Sequence, residues 1–169
     1  MRRLAAFLAT ALIALAVSAA TAWAGDRVPV DNGEIFLPGA AFCGFDVDIN
    51  VVENKEFATT TTLADGTTIT NVTGRFVESY TNTTTNKTVI RNISGPNTTT
   101  TSPDGTSSTF QATGSNRLIF GPGGRRNTGE PALVFTTGPV FVTILGNTVQ
   151  TFSLLTGRQE NLCQTLAGP

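Results

Sequence analysis

The sequence predicts an all-β protein. It reads as a single antiparallel meander of about eight or nine strands, closed into a barrel or, as the alternative, folded into a β-sandwich. Three observations lead there. Runs rich in Thr, Val, Ile and Phe recur at short intervals between Gly, Pro, Asn and Asp turn signals. No window sustains the 3.6-residue apolar period of an amphipathic helix. The stretch Cys43–Val51 alternates strictly, with Cys43, Phe45, Val47, Ile49 and Val51 on one face and Gly44, Asp46, Asp48 and Asn50 on the other.

The elements follow in chain order. Residues 25–41 carry Pro29, Gly33, Pro38 and Gly39 and read as an arm with at most an extended piece at Glu34–Leu37. The domain proper is expected over 42–169. After the alternating strand, Phe57–Leu63 runs into Ala64-Asp65-Gly66, a hairpin turn. Thr67–Thr81 places Val72, Phe76 and Tyr80 on one face, with Gly74 marking a bend or a close backbone approach. Asn82–Lys87 is a polar turn, and Thr88–Ser94 is a strand stopped by Gly95-Pro96. Thr98–Thr101, Ser107–Thr113, Arg117–Phe120, Ala132–Thr137, Val140–Leu145 and Val149–Leu155 complete the set, and one helical turn is expected near Asn161–Leu166. The chain has about thirty threonines. Their clusters at 59–62, 83–85 and 98–101 are short and lie between strands, which fits ladder and turn positions better than a mucin-like linker.

The N-terminus predicts export. Met1-Arg2-Arg3 precedes an apolar run, and Ala22-Trp23-Ala24 supplies a small-residue cleavage pattern, so residues 1–24 read as a signal peptide. The expected mature chain starts at Gly25 and is secreted, extracellular and released from the membrane. Loss of Arg2 and Arg3 takes the formal net charge from −1 to −3. That mild acidity, without a basic tract, makes nucleic acid and anionic membrane poor partners, and a monomer is expected. In an oxidising compartment Cys43 and Cys163 read as one disulfide, with a free thiol or an intermolecular bridge as the alternatives. Closing so long a loop is worth somewhat more than about 4 kcal/mol in the chain-entropy account.

The chain has no His, which removes Ser-His-Asp and Cys-His catalysis and His-ligated metals. No phosphate loop or dinucleotide fingerprint occurs, and no cofactor or metal is expected. Asp46-x-Asp48-x-Asn50 matches the opening of a calcium loop, but Val51 replaces the turn glycine and the alternation marks a strand. These residues are better read as a solvated or lumen-facing polar row. Asp46 and Asp48, roughly 7 Å apart on one strand face, also meet the spacing of a carboxylate pair. Gly121–Pro131 reads as a long structureless loop whose Arg125 and Arg126 are able to grip a carboxylate or phosphate. The candidate ligand-binding residues are therefore Asp46, Asp48, Asn50, Arg125 and Arg126, with no catalytic set. The Asn-x-Ser/Thr triplets at Asn71, Asn82, Asn86, Asn92 and Asn97 are expected by chance in a chain this rich in Thr.

Cys43-Gly-Phe-Asp-Val-Asp-Ile-Asn-Val51, Leu63-Ala-Asp-Gly-Thr-Thr-Ile69, Tyr80-Thr-Asn-Thr-Thr-Thr-Asn-Lys-Thr-Val89, Asn92-Ile-Ser-Gly-Pro96 and Asn161-Leu-Cys163 resemble a family of small secreted actinobacterial proteins, all-β and without assigned activity. The resemblance implies export, bacterial origin and an all-β fold, and carries over no site residue. The expected function is non-enzymatic binding of a small apolar ligand inside a barrel. The alternatives are interaction with a cell-surface or matrix component through Thr-rich faces, and a hydrolase or cyclase using Asp46, Asp48 or Glu78.

Overall fold

The longest element is a hairpin made by two Thr- and Val-rich runs around a polar turn. In the computed structural model, which describes residues 23–168, β4 (Val47–Thr62) and β5 (Thr68–Asn82) pair from Val47 opposite Asn82 to Thr62 opposite Thr68. Asp65 accepts the Thr67 N–H at 2.9 Å and Gly66 supplies a φ of 88°, the backbone that the turn needs. The two strands predicted over 43–51 and 57–63 are thus one strand, which starts only at Val47. The predicted signal segment lies outside the described residues up to position 22; Trp23–Ala24 form β1.

Short pieces of the arm, with β1 just before it, cover the outer edge of β4. β3 (Ile35–Leu37), β2 (Val28–Pro29) and β1 pair in turn with Val47–Ile49, Phe57–Ala58 and Thr61–Thr62. On the other side, β6 (Thr88–Asn92) and β7 (Asn97–Thr101) share the outer edge of β5. The sheet then continues through β8 (Ser107–Ala112), β11 (Val140–Leu145) and β12 (Thr148–Leu154). Between β8 and β11 the chain leaves this sheet and returns. β9 (Ser115–Ile119), β10 (Leu133–Thr137) and β13 (Arg158–Asn161) form a second, three-stranded sheet in the order β13-β10-β9.

This arrangement corrects the expected closed barrel and simple meander. Both sheets are open, and the strand path ends at β12 without returning to β4. The divergence begins at Thr113-Gly114, where Gly114 takes a φ of 80° and its carbonyl accepts the Gly138 N–H at 2.6 Å. β8 is thereby paired with β11 while β9 joins the other layer. Alternation within β8 and β9 is the same for either partner, so the sequence pattern is silent on this choice.

The supposed loop at 121–131 contains a short helix, α1 (Pro122–Thr128), started by proline and ended by Gly129 at a φ of 74°. It packs along β12, where the Asn127 amide donates to the Val149 carbonyl at 2.9 Å and so occupies an edge-strand acceptor. The expected helical turn near the C-terminus is α2 (Leu162–Ala167), capped by the Asn161 side chain. No helix among the described residues is long and apolar enough to cross a membrane.

The main core joins the layers. Val47, Ile49 and Tyr80 of the large sheet meet Leu133 of the small one and Leu162 and Leu166 of α2. Cys43, in the turn before β4, is bonded to Cys163 in α2, with Cα atoms 5.1 Å apart. The bridge therefore fastens the small layer to the large one rather than joining two edges of one sheet. Arg91 on β6 adds a forked ion pair to Glu160 on β13, at 2.9 and 2.6 Å. That fork, and secondarily Thr165, hold the Glu160 carboxyl below its ordinary range against the effect of burial.

The threonine content has a structural account. Thr60–Thr70, Thr81–Thr88 and Thr143–Thr151 bond hydroxyl to hydroxyl across adjacent strands at 3.0, 2.9 and 2.7 Å. Asn82 is buried and shapes its turn by accepting from Thr84 and Thr85 N–H while donating to the Leu166 carbonyl. It is thus a structural residue within its Asn-x-Ser/Thr triplet.

Candidate functional site

A single irregularity in β4 sets the site. Val51 pairs with Glu78 and Glu53 pairs with Val77, so Val52 is an extra residue, a bulge. The bulge reverses the alternation of everything after it. Val47, Ile49 and Val51 share a face with Asn54 and Glu56, although their numbers differ in parity. Without it, Glu56 would point outward with Val52 and Lys55 would point in. Glu56 instead enters the same face as Phe76, Glu78 and Tyr80 and is only 7% exposed.

Close packing of the hairpin supports this placement. Gly74 lies opposite Glu56 with a φ of 139°, and a Cβ there would stand 2.2 Å from the Lys55 carbonyl oxygen. The predicted close approach at Gly74 is therefore present. The arm supplies a wall. Val30 N–H donates to the Glu56 carbonyl, the Asn54 side chain donates to the Val30 carbonyl, and the Asn32 amide donates to Glu56 Oε2 at 2.8 Å. Burial pushes the Glu56 carboxyl above its ordinary value; the Asn32 bond opposes this, and the negative charge of Glu78 adds to it.

Two residues beyond Phe76, Glu78 sits 1% exposed. Its Oε2 accepts the Tyr80 hydroxyl at 2.6 Å and its Oε1 accepts Arg117 Nη1 at 2.6 Å. Burial, then Glu78, raise the Tyr80 phenol far above its ordinary value, so it stays protonated and donates to Glu78. Arg117 comes from β9 in the other sheet, so the Tyr80–Glu78–Arg117 chain spans both layers. Beside it, Asn116 is 5% exposed and its amide nitrogen is buried without a hydrogen-bond partner. That nitrogen lies over Gly95, where a Cβ would approach it to 2.8 Å.

These groups line a cleft of about 190 Å³ between the sheets. Asn32, Glu56, Asn116 and Arg117 provide its polar lining; Val72, Phe76, Ile93 and Phe110 are among its apolar walls. Glu78 stands behind Arg117 and is not part of the lining. Among the described residues no three His, Cys, Asp or Glu side chains cluster closely enough to hold a metal ion.

The residues singled out from sequence lie elsewhere. Asp46 is an exposed turn residue whose carboxylate accepts the Gly39 N–H at 2.7 Å. Asp48 and Asn50 lie on the β4 face opposite Ile49, across from Thr81 and Ser79. Arg125, in α1, donates to the Ala41 and Phe42 carbonyls at 3.1 and 3.4 Å and so ties the helix to the arm; Arg126 is exposed. None of the five lines the cleft, and the structure does not gather them into one place. Glu78, named for its carboxylate, does belong to the network at the cleft. Asn32, Glu56, Asn116 and Arg117 carried no sequence signal, because their convergence depends on the bulge and on the β8–β9 change of layer. No protein-family model, curated protein or solved structure matches the chain.

Proposed function

We propose that the chain is an exported, non-enzymatic binding protein whose two open sheets act as a β-sandwich around a small-molecule cleft. The resemblance to small secreted actinobacterial all-β proteins, the Cys43–Cys163 bond and the signal-like N-terminus support export of a chain beginning at Gly25. One observation carries the binding reading. The cleft between the sheets brings the buried Glu56 carboxyl and the Arg117 guanidinium together beneath the apolar walls of Val72, Phe76, Ile93 and Phe110. A few polar groups converging under apolar walls are the usual setting of a small-molecule site.

Thermal denaturation of the full chain against a panel of small, partly apolar compounds tests this reading, with Val72→Trp as the cleft-filling control. Saturable increases in melting temperature that disappear in V72W support it. No shift across the panel, or shifts that V72W leaves intact, would refute it.

A hydrolase or cyclase reading has one observation in its favour, the burial of Glu56 and Glu78 on one sheet face. It is weaker, because both Glu78 oxygens are engaged and only Glu56 reaches the cleft. A matrix-binding role through Thr-rich faces is weaker too, since those hydroxyls bond to one another across strands.

A further inference from the structure

We infer that the cleft binds a small organic ammonium ion, a cation on an apolar body, at the Glu56 carboxylate. The inference deepens the binding reading and rests on it. Charge balance is the first argument. Glu78 and Arg117 match each other's charge at 2.6 Å, whereas Glu56 makes no ion pair with a described cation. With all three groups ionised, the site carries one unmatched negative charge. Glu56 is 7% exposed, so little water reaches that charge, and burial is the main cause that holds its carboxyl above the ordinary value. A cation in the cleft supplies the missing counter-charge. Arg117 opposes this only weakly, because the Glu78 carboxylate behind it, 1% exposed, balances the guanidinium.

Geometry is the second argument. Asn32 donates to Glu56 Oε2 at 2.8 Å, and Oε1 has no hydrogen-bond partner among the described residues. That oxygen is not sealed in the interior, so it is able to accept an N–H from a molecule in the cleft that Glu56 lines. Phe76 and Phe110 are among the walls, and aromatic faces, which carry partial negative charge, accommodate a cation better than aliphatic surface does. Val72 and Ile93 give apolar contact to the rest of the molecule. A hard metal ion such as calcium fits less well: it takes about six to eight oxygen ligands, and no cluster of acidic side chains among the described residues supplies them. An anion gains little, since Arg117 is already matched.

Isothermal titration of the full chain in phosphate buffer with cyclohexylammonium, cyclohexanol, cyclohexanecarboxylate and the zwitterion aminocyclohexanecarboxylate tests this. Cyclohexylammonium should bind more tightly than the others by about tenfold or more. Glu56→Gln, nearly isosteric, should abolish that preference, lowering cyclohexylammonium affinity by about tenfold or more while cyclohexanol affinity stays within about twofold. If E56Q fails to fold, pH gives a second readout in the parent. Glu78 and Arg117 are the charged groups that act on Glu56, and they remain paired with each other. Protonation of Glu56 should therefore weaken cyclohexylammonium binding as pH falls and leave cyclohexanol unchanged. Equal affinity for the cation and the other ring compounds, or an ammonium preference that survives E56Q, with binding still lost in V72W, would overturn the ammonium assignment and leave the cleft as a binding site. Tighter binding of acetyl-lysinamide than of cyclohexylammonium would overturn a free amine in favour of a lysyl side chain. No binding by any probe, or binding that V72W does not alter, would overturn both the assignment and the binding reading.

Discussion

Arg117→Met removes the counter-charge of a carboxylate that is 1% exposed, and the structure sets the scale of the loss. Met retains the aliphatic reach of Arg but not its charge. Glu78 Oε1 then has no partner, and Oε2 keeps only the Tyr80 hydroxyl. Removing one member of a buried pair costs about 3–5 kcal/mol, because the remaining charge stays desolvated. For a chain of this size, each kcal/mol shifts the melting temperature by about 2–4 °C, so R117M should melt roughly 10 °C or more below the parent. Adding Glu78→Gln removes the stranded charge. The double variant should therefore be more stable than R117M alone, with a coupling of about 2 kcal/mol or more in a double-mutant cycle followed by urea denaturation. Arg75, exposed and paired with the half-buried Glu53, provides the contrast, and R75M should change stability far less. An R117M loss below about 1 kcal/mol, comparable with R75M, would refute the reasoning, since it would mean that Glu78 is solvated and the layers are not joined by a dry pair.

The other expectations follow from separate parts of the fold. Paired Cys43→Ser and Cys163→Ser substitutions open a closed loop of 120 residues and should cost about 4–5 kcal/mol by chemical denaturation; an unchanged midpoint would count against the bridge as the fastening between layers. The raised folded-state value of Glu56 means that the unfolded chain ionises first as pH rises above 4.5, so this residue lowers stability through the window up to its folded value and the penalty remains above it. Glu56→Gln should therefore gain stability relative to the parent between pH 4 and pH 7 in urea titrations, and a pH-independent difference would contradict its burial. Gly74→Ala should lose at least about 2–3 kcal/mol, from positive φ and from contact with the Lys55 carbonyl; a neutral result would rule out the close approach of β4 and β5.

The parts of this fold that local chemistry decides were legible in the sequence. The Asp65-Gly66 turn, the β5 face with Phe76 and Tyr80, the crowding at Gly74 and the turn near Asn161 all follow from residues adjacent to the feature itself. α1 was missed because two glycines and two arginines have weak periodicity, and only Pro122 and Gly129 mark its ends. β13 was missed because Arg158-Gln-Glu-Asn has no apolar alternation and is a strand by virtue of pairing with β10. The site was least legible of all. Alternation assigns Glu56 to the solvent face, and one extra residue at Val52 reverses that assignment. Asn116 and Arg117 reach the cleft only because the chain changes layers at Gly114, a choice that no local pattern encodes.

The most direct measurement is a two-dimensional nitrogen–proton spectrum of the full chain during titration with the partly apolar compounds that raise its melting temperature. The account predicts saturable shifts of the backbone amides of Glu56, Phe110 and Arg117, which line the cleft, and their loss in V72W. A titration in which those signals stay still while a compound binds elsewhere, or in which no signal moves, would contradict it.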